Sequence, residues 1–287
     1  MMSRRSLLSA AALSSLAAAC SPLGALNGLN TLTPGDGQVR RVVDAAAFGT
    51  DPRQTLEIWA PKGVTAKLPV IVFFYGGSWN SGSRDGYGFA AKALAAKGFV
   101  VVLPDYRLVP QVRWPAFVED GAAAMTWVAA NIAAHGGDPT RVAVMGHSAG
   151  AHIALLLALD RRWGVADTIK AAVGLAGPAD FLPFVAGGAA DAALGKAADL
   201  QDTQPIHFAR KDAPPLLLLH GDGDTTVLPR NSQRLANAIN DMGGRAEVRI
   251  YPDVGHIGIL LALSKPFRGK ANALTDTSNF LLAALTP

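Results

Sequence analysis

The 287-residue sequence predicts one α/β domain with a mostly parallel eight-stranded sheet and helices on both faces. Eight short apolar or β-rich segments alternate with longer alanine-rich stretches, which is the pattern of strands and crossover helices. Several strand segments, such as 99–103 and 216–219, are unbroken apolar runs. Runs of this kind are typical of central strands that are covered on both faces.

The elements follow one another along the whole chain. Strands are predicted at 39–45, 55–60, 69–75, 99–103, 141–145, 170–175, 215–220 and 246–251. Helices are predicted at 86–97, 115–134, 149–159, 230–241 and 269–285, several of which stop at glycine. Segment 177–213 is irregular and rich in Ala, Gly, Asp and Pro, so we expect a cap or pocket wall there and not a second domain.

The first 19 residues have the features of a secretory signal peptide. Arg4 and Arg5 precede an apolar stretch at 7–19, which is too short to span a bilayer and suits a signal-peptide core. The segment around the two arginines resembles a twin-arginine export signal. Small residues end the stretch directly before Cys20, the chain's only cysteine, so "LAAAC" also resembles a lipobox. We therefore expect an exported protein, either periplasmic or anchored in the membrane through a lipidated Cys20. In one alternative the signal peptide is cleaved and Cys20 keeps a free thiol. In the other the protein stays in the cytoplasm.

Residues 20–37 are rich in Gly, Pro, Asn and Thr, which predicts a flexible tether ahead of one domain at 38–287. The lone cysteine cannot form an internal disulfide, so the core alone must stabilise the fold. Formal charge is +4, and removal of Arg4 and Arg5 with the leader makes it smaller still. With no remaining Lys/Arg block, we expect no nucleic-acid partner.

The segment GHSAG at 146–150 carries the strongest chemical signal. It fits G-x-S-x-G and lies between the predicted strand 141–145 and the predicted helix 149–159. This context is the one in which the pattern forms a nucleophile elbow, a tight turn that exposes the serine hydroxyl. The helix that follows supplies N–H groups and a dipole favourable to a developing negative charge. We predict that Ser148 is a nucleophile.

A serine nucleophile needs a base, and the base needs an orienting group. His256 follows the 246–251 strand beside glycines, which predicts a loop position at that strand's carboxyl end, and we assign it as the base. The other histidines have structural interpretations, with His152 in packing and His220 in support of the loop after it. For the acid, Asp222 and Asp224 both end the 215–220 strand, at the sheet edge where such groups collect. Asp253 shares the loop of His256 and is badly placed to reach the ring.

These motifs together resemble the α/β-hydrolases of the esterase/lipase group, near the bacterial carboxylesterases and arylformamidase-like enzymes with an HGGxW motif. The resemblance covers nearly all of residues 48–260 and is carried by four segments: GTDPRQTLEIWAP, DYRLVP, GGDPTRVAVMGHSAGAH and HGDGDTTV. It implies the α/β-hydrolase fold. It also implies that Asp224 is the acid of a Ser148, Asp224, His256 triad, which leaves Asp222 as a loop-stabilising residue.

The resemblance further implies an oxyanion hole formed by backbone N–H groups of Gly77, Ser78 and Ala149. The family motif begins with histidine, whereas this chain has Tyr75 at that position. Because the donors are backbone groups, we expect them to survive the change, with the tyrosine hydroxyl sharing the histidine's role of steadying the loop. Trp79 is interpreted as a pocket wall or a loop anchor.

We therefore expect a serine hydrolase that cleaves small carboxylic esters through an acyl-enzyme. Phe181 and Phe184 suggest an apolar substrate pocket, although plain packing explains them equally well. No clustered metal-ligand set occurs, so no metal or organic cofactor is expected. Two alternatives stay open: an amide-cleaving arylformamidase-like hydrolase, and a non-catalytic binding module on a hydrolase scaffold.

Overall fold

The structure is a computed structural model, which describes residues 22–286. Eight strands form one sheet in the order β1-β2-β4-β3-β5-β6-β7-β8. Their bounds are β1 Val39–Ala47, β2 Thr55–Pro61, β3 Leu68–Phe74, β4 Val100–Pro104, β5 Gly137–His147, β6 Ile169–Leu175, β7 Leu216–Gly221 and β8 Ala246–Tyr251. The pairs β1/β2 and β2/β4 are antiparallel, and all other neighbours are parallel. The predicted mostly parallel eight-stranded sheet is confirmed.

Helices cover both faces of this sheet. Their bounds are α1 Pro22–Leu32, α2 Gly88–Ala95, α3 Ala116–Asn131, α4 Ala149–Leu159, α5 Ala189–Leu194, α6 Arg230–Asp241, α7 His256–Leu261 and α8 Ala273–Leu285. Helix α4 packs on β3, β5 and β6 beside α3, while α8 packs on β5, β6 and β7 and contacts α2. Both α4 and α8 contact β5 and β6, and α2 contacts β4. Every residue of β4 and every residue of β3 except Leu68 is buried.

The parallel strands end together at one edge of the sheet. Phe74 pairs with Gly146, and His147 pairs with Leu175. The register continues through β7 to β8, where Gly221 pairs with Tyr251. The loops after β3, β5, β7 and β8 are therefore neighbours, and this edge is where open α/β sheets place their ligands.

The predicted tether at 20–37 is wrong for residues 22–32, which form α1. Leu26 and Asn30 lie one helical turn apart and are both buried. The Asn27 carboxamide accepts from the N–H of Phe89 (2.8 Å) and donates to the carbonyl of Asp85 (2.7 Å), so α1 is fixed to the start of α2. The predicted signal peptide at 1–19 and Cys20 lie outside the described residues.

Two further differences concern short elements. His256, expected in a loop, is the first residue of α7. The 177–213 segment is irregular, as predicted, but contains α5 and short 3-10 turns at Leu200–Thr203 and Pro205–Phe208. Between residues 22 and 286 no helix combines the length and apolar character needed to cross a bilayer.

Candidate active site

Ser148 occupies a strained turn between β5 and α4. Its backbone has φ 54° and ψ −122°, a conformation that side-chain-bearing residues rarely adopt. A Cβ on Gly146 would lie 2.3 Å from the backbone of Gly150, and a Cβ on Gly150 would lie 2.1 Å from the carbonyl oxygen of Phe74. Both flanking positions therefore require glycine, because strand and helix approach too closely for any side chain.

The structure brings together the three side chains that the sequence selected. The Ser148 Oγ–H donates to His256 Nε2 at 2.8 Å, and His256 Nδ1–H donates to Asp224 Oδ2 at 2.7 Å. These donor assignments follow from the ionised carboxylate, which can only accept. The result is one continuous hydrogen-bonded line from hydroxyl through imidazole to carboxylate, in which Ser148 and Asp224 are nearly buried.

Asp224 is held as a carboxylate by four donors. Its Oδ1 accepts from the N–H groups of Thr226 and Val227, each at 2.9 Å. Burial by itself would raise the pKa of Asp224, but the hydrogen bonds from His220, His256 and the Val227 N–H outweigh it and hold that pKa below its ordinary value. The neighbouring Asp222 instead accepts from the N–H of exposed Asp253 at 2.8 Å, which is a loop contact.

His220 is fully buried and supports the acid. Its Nε2–H donates to the carbonyl of Val227 (2.7 Å) and to Asp224 Oδ2 (3.2 Å), and its Nδ1 accepts from Ser232 Oγ (2.8 Å). Sequence reasoning gave His220 this loop-supporting role. The sequence did not single out Ser232, because nothing in α6 indicates that its one serine faces β7.

His147, the residue before the nucleophile, contacts the base as well. Its Nε2–H donates to the backbone carbonyl of His256 at 3.0 Å, and the two rings lie 5.0 Å apart between centroids. Burial, with the nearby His256 as a smaller cause, lowers the pKa of His147 to about 3. A neutral His147 therefore ties the elbow to the first residue of α7, a connection that the sequence did not indicate.

The loop after β3, residues 75–82, is termed the oxyanion loop. The N–H of Gly76 is already used, since it donates to the hydroxyl of Tyr87 at 3.1 Å. The N–H groups of Gly77, Ser78 and Ala149 donate to no acceptor among the described residues. A Cβ on Gly76 would lie 3.1 Å from the Cβ of Ser148, which shows how closely the loop approaches the nucleophile. Three N–H groups near Ser148 are thus unused: two in the oxyanion loop, at Gly77 and Ser78, and one at Ala149, the first residue of α4.

Tyr75 steadies the oxyanion loop through residues that the sequence did not single out. Its hydroxyl accepts from Arg53 Nη2 at 2.7 Å, and its ring stacks on Tyr106 with centroids 4.5 Å apart. The Tyr106 hydroxyl in turn donates to the carbonyl of Tyr75 at 2.8 Å. Burial raises the pKa of Tyr75 far above its usual range and that of Tyr87 to about 12, so both hydroxyls stay protonated.

Aromatic side chains continue from the oxyanion loop into segment 177–213. Trp79 is 5% exposed and stacks on half-buried Phe181 with centroids 6.4 Å apart, and Phe181 contacts Phe184 at 5.4 Å. Trp79 also meets His152 edge-on at 5.2 Å. His152 Nε2–H donates to the carbonyl of Thr203 at 2.7 Å, away from the triad, as expected for a packing residue. Trp79 is therefore fixed by its packing against Phe181 and His152, as part of the aromatic cluster beside the oxyanion loop.

The sheet order, the elbow and the hydrogen-bonded Ser-His-Asp line together define an α/β-hydrolase. In the part of the chain that the structure describes, no three His, Cys, Asp or Glu side chains are grouped to hold a metal ion. The BD-FAE family model matches residues 56–239, more than half of the chain. The protein belongs to the BD-FAE family, within the esterase/lipase group of α/β-hydrolases.

Curated relatives and solved structures agree with this family. The chain is 33% identical to Esterase LipC of Mycobacterium tuberculosis over 63% of its own length and 50% of LipC. It is 30% identical to the isoprenylcysteine alpha-carbonyl methylesterase ICME of Arabidopsis thaliana over 83% of its length and 61% of that protein. The chain thus spans about half to three-fifths of these relatives. A truncated carbohydrate esterase from gut microbiota shares the fold, with a TM-score of 0.76 at 23% identity, over 88% of this chain and 99% of that one.

Proposed function

We propose that this protein is a carboxylic ester hydrolase that works through a covalent acyl-enzyme on Ser148. The observation that carries the proposal is the hydrogen-bonded line from Ser148 through His256 to Asp224, at 2.8 and 2.7 Å. Its distances lie within the reach required of a nucleophile, its base and the orienting acid. The esterase names of LipC and ICME support the same chemistry.

The reaction follows from the geometry. Ser148 Oγ attacks the ester carbonyl while His256 Nε2 takes the hydroxyl proton, and Asp224 keeps the imidazole in the required tautomer. The carbonyl oxygen becomes negative within reach of the unused N–H groups of the oxyanion loop and Ala149. Collapse expels the alcohol, which receives the proton from His256. Water then repeats the sequence on the acyl-enzyme and releases the acid.

Small-molecule carboxylic esters are the proposed substrates, with Phe181, Phe184 and Trp79 as the apolar side of the binding site. Both phenylalanines are only half-buried, so they leave apolar surface for a substrate group. Trp79 joins this surface to the oxyanion loop through its stacking on Phe181.

We further propose that the protein is exported and that Cys20 is its lipid-attachment site. The leader with Arg4 and Arg5, the small residues before Cys20 and the absence of any other cysteine from the sequence support this location.

Substitution of Ser148 by alanine tests the proposed activity. We expect Ser148→Ala to fold normally and to lose hydrolysis of p-nitrophenyl acetate by roughly 10⁴- to 10⁶-fold, since the remaining site cannot form the acyl-enzyme. A fluorophosphonate probe is expected to label wild-type protein and not the variant. The matched control is Ser278→Ala, a buried serine of α8 remote from the site, which we expect to keep full activity.

A panel of esters and N-formyl aromatic amides then compares the two bond types. Faster turnover of the amides would replace the ester assignment by an amidase. A folded wild-type protein that neither turns over any member of the panel nor reacts with the probe would contradict catalysis altogether.

A further inference from the structure

Arg53, in the turn between β1 and β2, contacts both ends of the oxyanion loop. Its Nη2 donates to the hydroxyl of Tyr75 at 2.7 Å, where the loop begins, and to the carbonyl of Gly82 at 2.9 Å, where the loop ends. Its Nε donates to the carbonyl of Tyr106 at 2.8 Å. One guanidinium group therefore joins the two ends of this loop to the segment that follows β4.

Arg53 is itself held in place. Its N–H donates to Asp51 Oδ1 at 2.8 Å in a closed turn, and the Asp105 carboxylate lies 3.8 Å from its Nη2. The same carboxylate accepts from the N–H of Arg84 at 2.8 Å, just beyond the loop. A guanidinium group is planar with fixed N–H directions, so a fixed Arg53 specifies the positions of all its acceptors.

The loop needs such a restraint because its backbone is strained. Ser78 and Trp79 both have positive φ, 52° and 58°, although neither is glycine. Residues persist in this region only when the surroundings enforce it. The end of the loop at Gly82 packs tightly against its start, since a Cβ on Gly82 would lie 2.8 Å from both the carbonyl oxygen of Gly76 and the ring of Tyr75. Release of one end would let the loop relax and move the N–H groups of Gly77 and Ser78.

We propose that Arg53 is the positioning residue of the oxyanion hole, holding the N–H groups of Gly77 and Ser78 where the negative oxygen develops. The proposal rests on the proposed ester hydrolysis. Arg53 touches neither substrate nor the triad and acts through Tyr75 and Gly82. It also accounts for the tyrosine at position 75, because that hydroxyl is the acceptor by which Arg53 holds the start of the loop.

Three variants separate positioning from plain stabilisation. Arg53→Met removes the donors, Arg53→Lys keeps the charge but not the planar fork, and Tyr75→Phe removes one acceptor while the ring stack remains. The control is Arg245→Met, which removes an exposed arginine paired with Glu247 at the start of β8. Active sites are counted by fluorophosphonate titration, so each kcat refers to folded, reactive enzyme.

We expect Arg53→Met to lower kcat about 10- to 100-fold with little change in KM, because a displaced oxyanion donor is missed only in the transition state. Affinity for a trifluoromethyl ketone, whose adduct on Ser148 carries an oxyanion, is expected to fall by the same factor. Tyr75→Phe is expected to have a smaller effect in wild-type enzyme and none in the Arg53→Met background, since the two residues act as one unit.

Chemical rescue gives a second readout. The Arg53 side chain is 36% exposed, so guanidinium ion can enter the space left in Arg53→Ala. We expect guanidinium chloride to restore part of the lost kcat, and methylammonium or sodium chloride at equal ionic strength not to do so.

If Arg53→Met has the same kcat and the same inhibitor affinity as the wild type, the positioning proposal is overturned while the ester-hydrolase function stands. If Arg53→Met fails to fold, the same unchanged values in Arg53→Lys and Tyr75→Phe overturn it. Wild-type protein without esterase activity or probe labelling would overturn the proposed function, and this inference with it.

Discussion

At residue 148 the chain accepts a backbone strain that only its two glycine neighbours permit. The elbow at Ser148 was predictable from the G-x-S-x-G pattern, although the clash that requires glycine at 150 involves the distant Phe74. The hydrogen-bond partner of His147, in contrast, was not predictable from the sequence. Whether its Nε2–H reaches solvent or the carbonyl of His256 depends on how α7 packs against the elbow, at a separation of 109 residues.

The hydrogen bond from His147 to the His256 carbonyl leads to a prediction about the base. We expect His147→Leu to lower kcat about tenfold, because the first residue of α7 loses the donor that fixes it and the imidazole shifts away from Ser148. His147→Gln, whose amide nitrogen can take the place of Nε2, is expected to retain most of the activity. Steady-state kinetics on titrated active sites compare the two variants, and equal losses in both would count against the hydrogen bond.

At the scale of elements, α4 shows how burial governs the charge of a side chain. Every residue of this helix is buried, and desolvation lowers the pKa of His152 to about 4. His147, at the end of β5, likewise has a pKa of about 3. Both histidines are therefore neutral in the folded protein at pH values where the unfolded chain, with ordinary histidine pKa values of about 6.5, binds protons.

The free energy of unfolding is expected to fall as pH decreases from about 6.5 toward 4, because the two histidines bind protons in the unfolded chain and not in the folded protein. Each of the two histidines contributes a slope of roughly 1.4 kcal/mol per pH unit. Asp224, with its pKa held below the ordinary value, adds a loss that begins only below about pH 4.

Urea denaturation of wild type and His152→Gln between about pH 7 and 4.5 measures this slope. The slope is expected to decrease in His152→Gln by about the contribution of one bound proton. An identical slope in wild type and His152→Gln would exclude His152 as a source.

Three helices, α1, α5 and α7, mark where prediction of elements from sequence failed. Helix α1 contains Gly and Asn residues that have low helix propensity, and it forms because Leu26 is buried and Asn27 and Asn30 make hydrogen bonds to distant segments. Helices α5 and α7 have only 6 residues each, too few for a periodic pattern. The long alternating strands and helices, in contrast, were predicted correctly, because their periodicity is a local property.

For the whole molecule, the proposed anchor lies close in sequence to a structured segment. Cys20 precedes the first residue of α1 by two positions, and α1 packs against α2 and the 3-10 turn Arg84–Tyr87. That turn contains Tyr87, whose hydroxyl accepts from Gly76 in the oxyanion loop.

Cys20→Ser is therefore expected to move the protein from the membrane fraction to the soluble fraction of the cells that export it, since lipid attachment is lost. Esterase activity per active site is expected to stay unchanged, because Cys20 has no part in the proposed chemistry. Fractionation followed by immunoblotting measures the shift, and the conservative Ser21→Ala serves as the control. Membrane association that persists in Cys20→Ser would argue against lipidation.

By itself the sequence determined the α/β class and the elbow, because hydrophobic periodicity and the G-x-S-x-G pattern are local properties, and its resemblance to the esterase/lipase group selected Asp224 to act with Ser148 and His256. Only the tertiary structure decided which further groups support them: His147 on the base, Ser232 behind His220 on the acid, and Arg53 with Tyr87 and Tyr106 on the oxyanion loop. Those contacts join residues far apart in the chain, and their partners are selected by how strands and loops pack at one sheet edge.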